Sequence, residues 1–201
     1  KSISNLLASE RGEVTKGSIT FNDTDVHALD PSQLVKMGVI QVMEGRHCFE
    51  HLTVEENLMM VSEIHIEEKS LRLSKVQEMI SQFQFEPISK VKAKNVSGGQ
   101  FKRLVIAMAL INNPKIMLLD EIFSALDIKT IAMLKELIIN LQSYRSITCI
   151  MVDHLAHDLL EVANRCLILA DGKIVAEGRS EEIIKNKMAR EIYFGEEFKT
   201  R

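Results

Sequence analysis

The chain has 201 residues, 46% of them hydrophobic and 26% charged, with a net charge of -3, which suits one domain, or one core with an inserted subdomain, able to bury a sizeable core. Lysines and arginines are scattered among acids with no basic stripe, which argues against nucleic acid as a partner. The longest apolar run, residues 104–111, is far short of the roughly 20 residues of a membrane-spanning helix, and the odd, widely spaced Cys48, Cys149 and Cys166 read as buried thiols in a reducing compartment instead of a disulfide framework.

Residues 3–9 predict a helix, with Ile3, Leu6 and Leu7 at helical spacing directly after Lys1-Ser2 and no cap or turn before it. Residues 17–21 alternate and predict a strand, closed by a turn at Asn22-Asp23. A short helix over 31–36 and a buried strand over 38–42 follow. Thr53-Val-Glu-Glu56 is a capping box that opens a helix through Met60. Leu71, Val76, Met79, Ile80 and Phe83 form the apolar stripe of a second helix. A third begins at Ser97 and carries Leu104, Ala107, Met108, Leu110 and Ile111. After Pro114, strands are predicted over 116–119, 147–152, 166–169 and 173–176. Helices separate the first three, which implies βαβ units and a parallel sheet. The layout is an α/β core interrupted by an all-helical insert and closed by a helical tail.

Chemistry concentrates at four places. Ile116-Met-Leu-Leu-Asp-Glu121 is a strand apolar on both faces with two acids at its carboxyl end, the end where open α/β sheets bind ligands. Asp120 there suits Mg²⁺, which takes few carboxylates and keeps most of its waters. Glu121 suits orienting or deprotonating an attacking water; the ordinary alternative is a solvated acidic pair. Val96-Ser-Gly-Gly-Gln100 opens an apolar helix, so Ser97 as cap and two glycines leave backbone N–H groups at the positive end of a helix dipole. An N-cap with a flexible lead-in is the plainer reading, but glycines in a first turn cost stability unless backbone must approach something closely. His154 follows a strand at its carboxyl end and suits a γ-phosphate, although a lone histidine is more often structural. Asp127, in Ser124-Ala-Leu-Asp127, reads most simply as the cap of the next helix.

Taken in order, a Ser-Gly-Gly-Gln helix start, a strand ending in Asp-Glu about 20 residues later, an immediate Ser-Ala-Leu-Asp turn and a strand followed by His about 30 residues on resemble the ABC ATPase family over nearly the whole chain. The resemblance implies an α/β P-loop NTPase (RecA-like) core with an inserted all-helical subdomain, of the ABC ATPase type. It implies that residues 96–100, with Ser97, Gly98, Gly99 and Gln100, are the signature motif and 116–121 the Walker B strand. Residues 124–127 become the D-loop, with Asp127 at the ATP, and His154 the switch histidine. Lys1-Ser2 resembles the end of a phosphate-binding loop whose glycines lie upstream, Lys1 reaching the β- and γ-phosphates and Ser2 holding Mg²⁺. The upstream part would also hold the first strands and the aromatic that stacks on adenine.

The segment 41–49 occupies the place of the family's Q-loop, which touches Mg²⁺, water and the membrane partner. Counting back from Leu52-Thr53-Val54 selects Glu44, with Gln41 as the alternative. The Glu44-Gly-Arg start, Phe49 and Leu52-Thr-Val-Glu-Glu-Asn-Leu58 look like the ATPases of branched-chain amino acid importers. The tail 190–198 is similar to that group and to the lipopolysaccharide exporter ATPase. Ile122 stands where the family usually has proline, which predicts a looser loop around Glu121 and slower hydrolysis. His47, Cys48 and His51 are poorly spaced for a zinc site.

These implications divide the chain into a partial ATP-binding core over 1–44, a helical subdomain with the signature over 45–112, a core with Walker B, D-loop and switch histidine over 113–178, and a helical tail over 179–201. The expected function is the ATP-hydrolysing motor of a transporter that imports branched-chain amino acids or a related small solute, using ATP and Mg²⁺. Expected partners are a second cassette, as a homodimer or paralogous heterodimer, and transmembrane permease subunits, with no nucleic acid. The expected location is peripheral, at the cytoplasmic face of the inner or plasma membrane. Alternatives are a lipopolysaccharide-type exporter ATPase, a soluble non-transport ABC ATPase, or a folded form that lacks the glycine loop and does not turn over ATP.

Overall fold

The computed structural model describes residues 1–7, 11–45 and 47–195. They form two compact units, one of Lys1–Ile122 with Leu141–Val152 and one of Phe123–Asn140 with Asp153–Arg201.

In the first unit, β1 (Thr20–Phe21) pairs antiparallel with β2 (Thr24–Asp25). Asn22 and Asp23 turn between them with φ of 49° and 60°, the mirror-image turn that matches strand twist. The strand is shorter than the alternation predicts, since residues 17–19 stay outside it. Helix α1 (Pro31–Met37) opens with Pro31 behind a reciprocal cap, the Asp30 carboxylate accepting from Ser32 N–H and Gln33 accepting from Asp30 N–H. Gly38, at φ 99°, ends α1 in the left-handed conformation and feeds β3 (Val39–Val42).

Three helices follow: α2 (Val54–His65), α3 (Lys69–Gln82) and α4 (Gly98–Ile111). The Thr53–Glu56 box caps α2 as predicted, and α2 runs five residues beyond Met60. α2 packs on both α3 and α4, burying Leu58, Val76, Met79, Ile80, Leu104 and Leu110. Each such side chain contributes about 2 kcal/mol of burial. Leu71 leaves the predicted stripe; at 55% exposure it sits on the solvent side of α3's first turn. Asn57 is buried in α2, its side chain accepting from Phe49 N–H and donating to the Phe49 and Thr53 carbonyls.

The strands β3, β4 (Ile116–Asp120) and β5 (Thr148–Val152) make a parallel sheet in that order. β4 is central, with Met117, Leu118 and Leu119 buried, as its unbroken apolar run requires. Helix α5 (Ile128–Arg145) is the crossover from β4 to β5.

The predicted helix over 3–9 is a correction. Its described part is a turn, with Leu6 N–H bonded to Lys1 C=O at 3.0 Å and Asn5 at φ 52°; residues 8 and 9 lie outside the described residues. A first helical turn orders several residues for one bond. Ser and Asn compete by bonding elsewhere, as Asn5 does in donating to the Leu29 carbonyl at 2.7 Å.

In the second unit, β6 (Cys166–Ala170) does not extend the parallel sheet. It pairs antiparallel with β7 (Lys173–Gly178) through Asp171-Gly172, both at positive φ. An apolar run predicts a strand but not its neighbour, whereas a two-residue turn of this type selects the next strand. Lys135 of α5 bridges Asp158 and Glu161 of α6 (Ala156–Val162) at 2.5 and 2.7 Å. Ile168, Ala176, Ile183 of α7 (Ser180–Lys185) and Ala189 form a small core. The tail winds as a wide turn over Arg190–Phe194, and residues 196–198 of the predicted tail lie outside the described residues.

Candidate functional site

In the first unit the two acids stand where the buried strand runs out. Asp120 is the last residue of β4, in register with Val152 of β5, and Glu121 N–H donates to the Val152 carbonyl at 2.8 Å. Glu121 has turned out of the strand, with φ 47°. Both are half-buried: supported by the sheet, yet open to a ligand.

The Lys1–Ser4 turn belongs to the same unit. Ser4 is buried, and its hydroxyl lies between the Lys1 carbonyl, 3.1 Å away, and the Gln41 side-chain amide. Of the two Q-loop candidates it is therefore Gln41 that meets the turn holding Lys1 and Ser2. Glu44 is exposed in a bend made by Gly45 at φ 95°, and its carbonyl is 2.7 Å from His47 Nε2. Arg46, part of the Glu-Gly-Arg run, lies outside the described residues.

Ser97 caps α4 and lies at the surface with Gly98, while Gly99 and Gln100 are half-buried. The cap is reciprocal: Ser97 N–H donates to Gln100 Oε1 at 2.9 Å, and Gln100 N–H to Ser97 Oγ at 3.3 Å. The N–H groups of Gly98 and Gly99 have no acceptor within the helix, so the helix offers them outward.

In the second unit, Asp127 caps α5, accepting from Thr130 N–H at 3.0 Å and from Thr130 Oγ1 at 2.6 Å. Those bonds hold its carboxyl below the usual range, the hydroxyl contributing most. His154 is 59% exposed, with Nδ1 3.8 Å from Asp153. Asp153 is the residue that motif reading misses. Its side chain is 1% exposed, Oδ2 accepting from Phe123 N–H at 2.9 Å and Oδ1 from Leu155 N–H at 3.0 Å. It ties the stretch after Glu121 to the stretch around His154. An acid ending an apolar strand was the available signal.

Among the described residues, no group of three or more His, Cys, Asp or Glu is arranged to hold a metal. No helix among them is long and apolar enough to cross a membrane. The three cysteines stand as thiols, half-buried, and burial pushes that of Cys149 up to about 11.

A protein-family model described as ABC transporter matches residues 1–124, from the Lys1 turn through the Asp120-Glu121 strand end. The chain belongs to the ABC transporter family. It is an ATP-hydrolysing cassette of that family, with the family's P-loop NTPase fold. An uncharacterized ABC transporter ATP-binding protein of Rhizobium meliloti is 34% identical over 185 residues, which are 92% of this chain and 68% of that protein. The lipopolysaccharide export system ATP-binding protein LptB of Haemophilus influenzae is 32% identical, over 92% of this chain and 76% of LptB. Among solved structures, the ATP-binding cassette MJ0796, a dimer in a post-hydrolysis state with ADP and Pi, matches with TM-score 0.74 and 25% identity, over 89% of this chain and 80% of that one. The cassette MJ1267 of an ABC transporter matches in fold, with TM-score 0.78 and 22% identity over 97% of this chain and 83% of that one.

Proposed function

We propose that the protein is the ATP-hydrolysing motor of a membrane transporter and closes head-to-tail on a second cassette around ATP. The observation that carries this is the strand end itself, with Asp120 finishing β4 and Glu121 turned out of the sheet beside it. Phosphoryl transfer to water requires positioning and charge neutralisation more than covalent chemistry. Glu121 orients and deprotonates the attacking water, and His154 bonds the γ-phosphate. Lys1 reaches the β- and γ-phosphates. The Gly98 and Gly99 N–H groups, with Ser97 and Gln100 around them, meet the γ-phosphate held by the partner cassette. Asp127 lines that junction from the D-loop.

The hydroxyl of Ser2 and the carboxylate of Asp120 are the oxygen donors a hard cation selects, with the Gln41 amide beside the Ser2 turn and Glu44 as the alternative. Mg²⁺ held there would neutralise phosphate charge. Residues 45–112 act as the helical subdomain that passes motion to permease subunits, between core segments 1–44 and 113–178 and ahead of a tail over 179–201. The site of work is the cytoplasmic face of the membrane.

For cargo, the relative named for lipopolysaccharide export makes an exporter at least as well supported as amino acid import. ATPase stimulation by lipopolysaccharide or by amino acids, with the cognate permease reconstituted, separates the two.

The mechanism is tested with Glu121→Gln. Hydrolysis is expected to be nearly abolished and an ATP-bound dimer to accumulate on gel filtration; normal turnover overturns the assignment of the base. Ser97→Arg is expected to abolish ATP-dependent pairing, and a variant that still pairs removes α4 from the interface.

A further inference from the structure

We infer that Lys102 is a positioning residue for hydrolysis, holding the Glu121 peptide and so joining a cassette's own base to the helix it presents to its partner. This rests on Glu121 acting as the base. Lys102 lies on α4, in the turn after the Ser97 cap, and its Nζ donates to the Glu121 carbonyl at 2.7 Å across 19 residues of sequence. A lysine ammonium is strongly hydrated and its stem flexible, so a half-buried one bonded to a main-chain carbonyl has exchanged water for that contact.

That contact bears on the backbone of Glu121. A residue with a Cβ at φ 47° is strained, and such strain persists only where the surroundings over-determine it. Here the peptide groups on either side of the Glu121 Cα are fixed by different elements. The N–H is bonded to Val152 at the end of β5 and the C=O to Lys102 on α4. The second bond has a charged donor and is roughly twice as strong as a neutral one. Lys102 is therefore the larger of the two restraints.

The next residue fixes α4 from its other side. The Arg103 guanidinium donates to the Phe83 carbonyl at 3.0 Å and lies over the Phe85 ring, 5.5 Å from its centroid. Phe83 and Phe85 are themselves buried and stacked, with centroids 5.6 Å apart. One helix thus carries an exposed cap at its start, an anchor to the Phe83–Phe85 stretch at Arg103 and a hand on Glu121 at Lys102. A shift of the cap on meeting a partner's nucleotide is transmitted to the peptide that aims the base.

The test compares Lys102→Met, Lys102→Gln and Lys102→Arg in the full-length protein, with Glu121→Gln as control. For Lys102→Met, kcat is expected to fall about tenfold or more, equivalent to about 1.4 kcal/mol, with KM for ATP within about twofold. Lys102→Arg, which keeps a charged donor, is expected to restore most of kcat, and Lys102→Gln to fall between. Independently of turnover, exchange of the Glu121 amide, followed by NMR without nucleotide, is expected to speed up in Lys102→Met and not in Lys102→Arg. Wild-type kcat and wild-type exchange in Lys102→Met overturn the inference. So does a joint loss of kcat, KM and melting temperature that arginine does not rescue. If Glu121→Gln turns over normally, the base assignment fails and takes the inference with it, whereas loss in that control with no change in Lys102→Met refutes the role of Lys102 alone.

Discussion

Removing the Asp153 carboxylate should destabilise the second unit far beyond the effect of removing an exposed acid. The side chain is 1% exposed and accepts two backbone N–H bonds, from Phe123 at 2.9 Å and Leu155 at 3.0 Å. Hydrogen bonds to a charged group contribute about 1.5–3 kcal/mol each, and an amide left buried without an acceptor adds its own penalty. The two amides differ, since Phe123 is fully buried and Leu155 half-buried. Water can therefore replace the carboxylate at Leu155 but not at Phe123. Asp153→Ala is expected to cost about 3 kcal/mol, roughly 6–12 °C in melting temperature for a chain of this size. Asp153→Asn keeps one acceptor oxygen and should lose about half as much. Glu181→Ala, at an exposed position of α7, should stay within about 0.5 kcal/mol. Thermal melts followed by circular dichroism provide the comparison, and turnover should fall with Asp153→Ala because Phe123 lies two residues after Glu121. A melting temperature for Asp153→Ala within about 2 °C of wild type would refute the reasoning.

Asn57, fully buried, bonds both peptide groups of Phe49 and the Thr53 carbonyl. Asn57→Ala should cost about 2–3 kcal/mol, and Asn57→Asp more at pH 7 because a carboxylate would face those carbonyls; urea midpoints give the ranking. Cys149, at about 11 in place of the usual 9.0, carries about a hundredfold less thiolate at pH 8, so iodoacetamide should label it about a hundredfold more slowly in native protein than in urea. Burial raises Glu78, but Lys75 and Arg145 outweigh it and the net shift is down. A carboxyl lowered on folding stabilises above its unfolded value of about 4.5, and that contribution is lost as pH falls through the lower folded value. Arg145→Ala should accordingly cost up to about 1 kcal/mol at pH 7, with a smaller difference from wild type in melts at pH 3.5.

What could be read in advance was what local chemistry decides. Thr53–Glu56 announces α2 because a cap and its partner lie three residues apart, and the same spacing at Asp30–Gln33 and Ser97–Gln100 marks two further boxes. The places of Asp120 and Glu121 are legible because a strand apolar on both faces must be central, and acids that close its apolar run fall at its carboxyl end. Periodicity does not say which strand pairs with which, so it leaves open that β6 pairs antiparallel with β7. Nor does it weigh nucleation, so Ile3, Leu6 and Leu7 predict a helix where the described residues form a turn. Counting along the chain points to Glu44, while the bond between Ser4 and Gln41 is a contact that counting does not reveal. Asp153 and Lys102 escaped because their partners are 30 and 19 residues away, and a single contact at that range leaves no periodic trace.

Ile122 shows why a family departure must be weighed in three dimensions. Proline at that position would lock its own φ and push the residue before it toward extended backbone. Glu121 instead lies at φ 47°, a conformation that a following proline would oppose. The loop is held by other means. Ile122 is 1% exposed and Phe123 is fully buried, so the two residues after Glu121 are sunk as apolar anchors. The peptide groups flanking the Glu121 Cα are bonded to Val152 and Lys102. Burying an isoleucine side chain contributes about 1.5–3 kcal/mol. The expected looseness therefore does not follow from the missing ring. Here the rigidity that holds the Glu121 backbone comes from the folded state, through burial and two hydrogen bonds, and is lost when those contacts are lost.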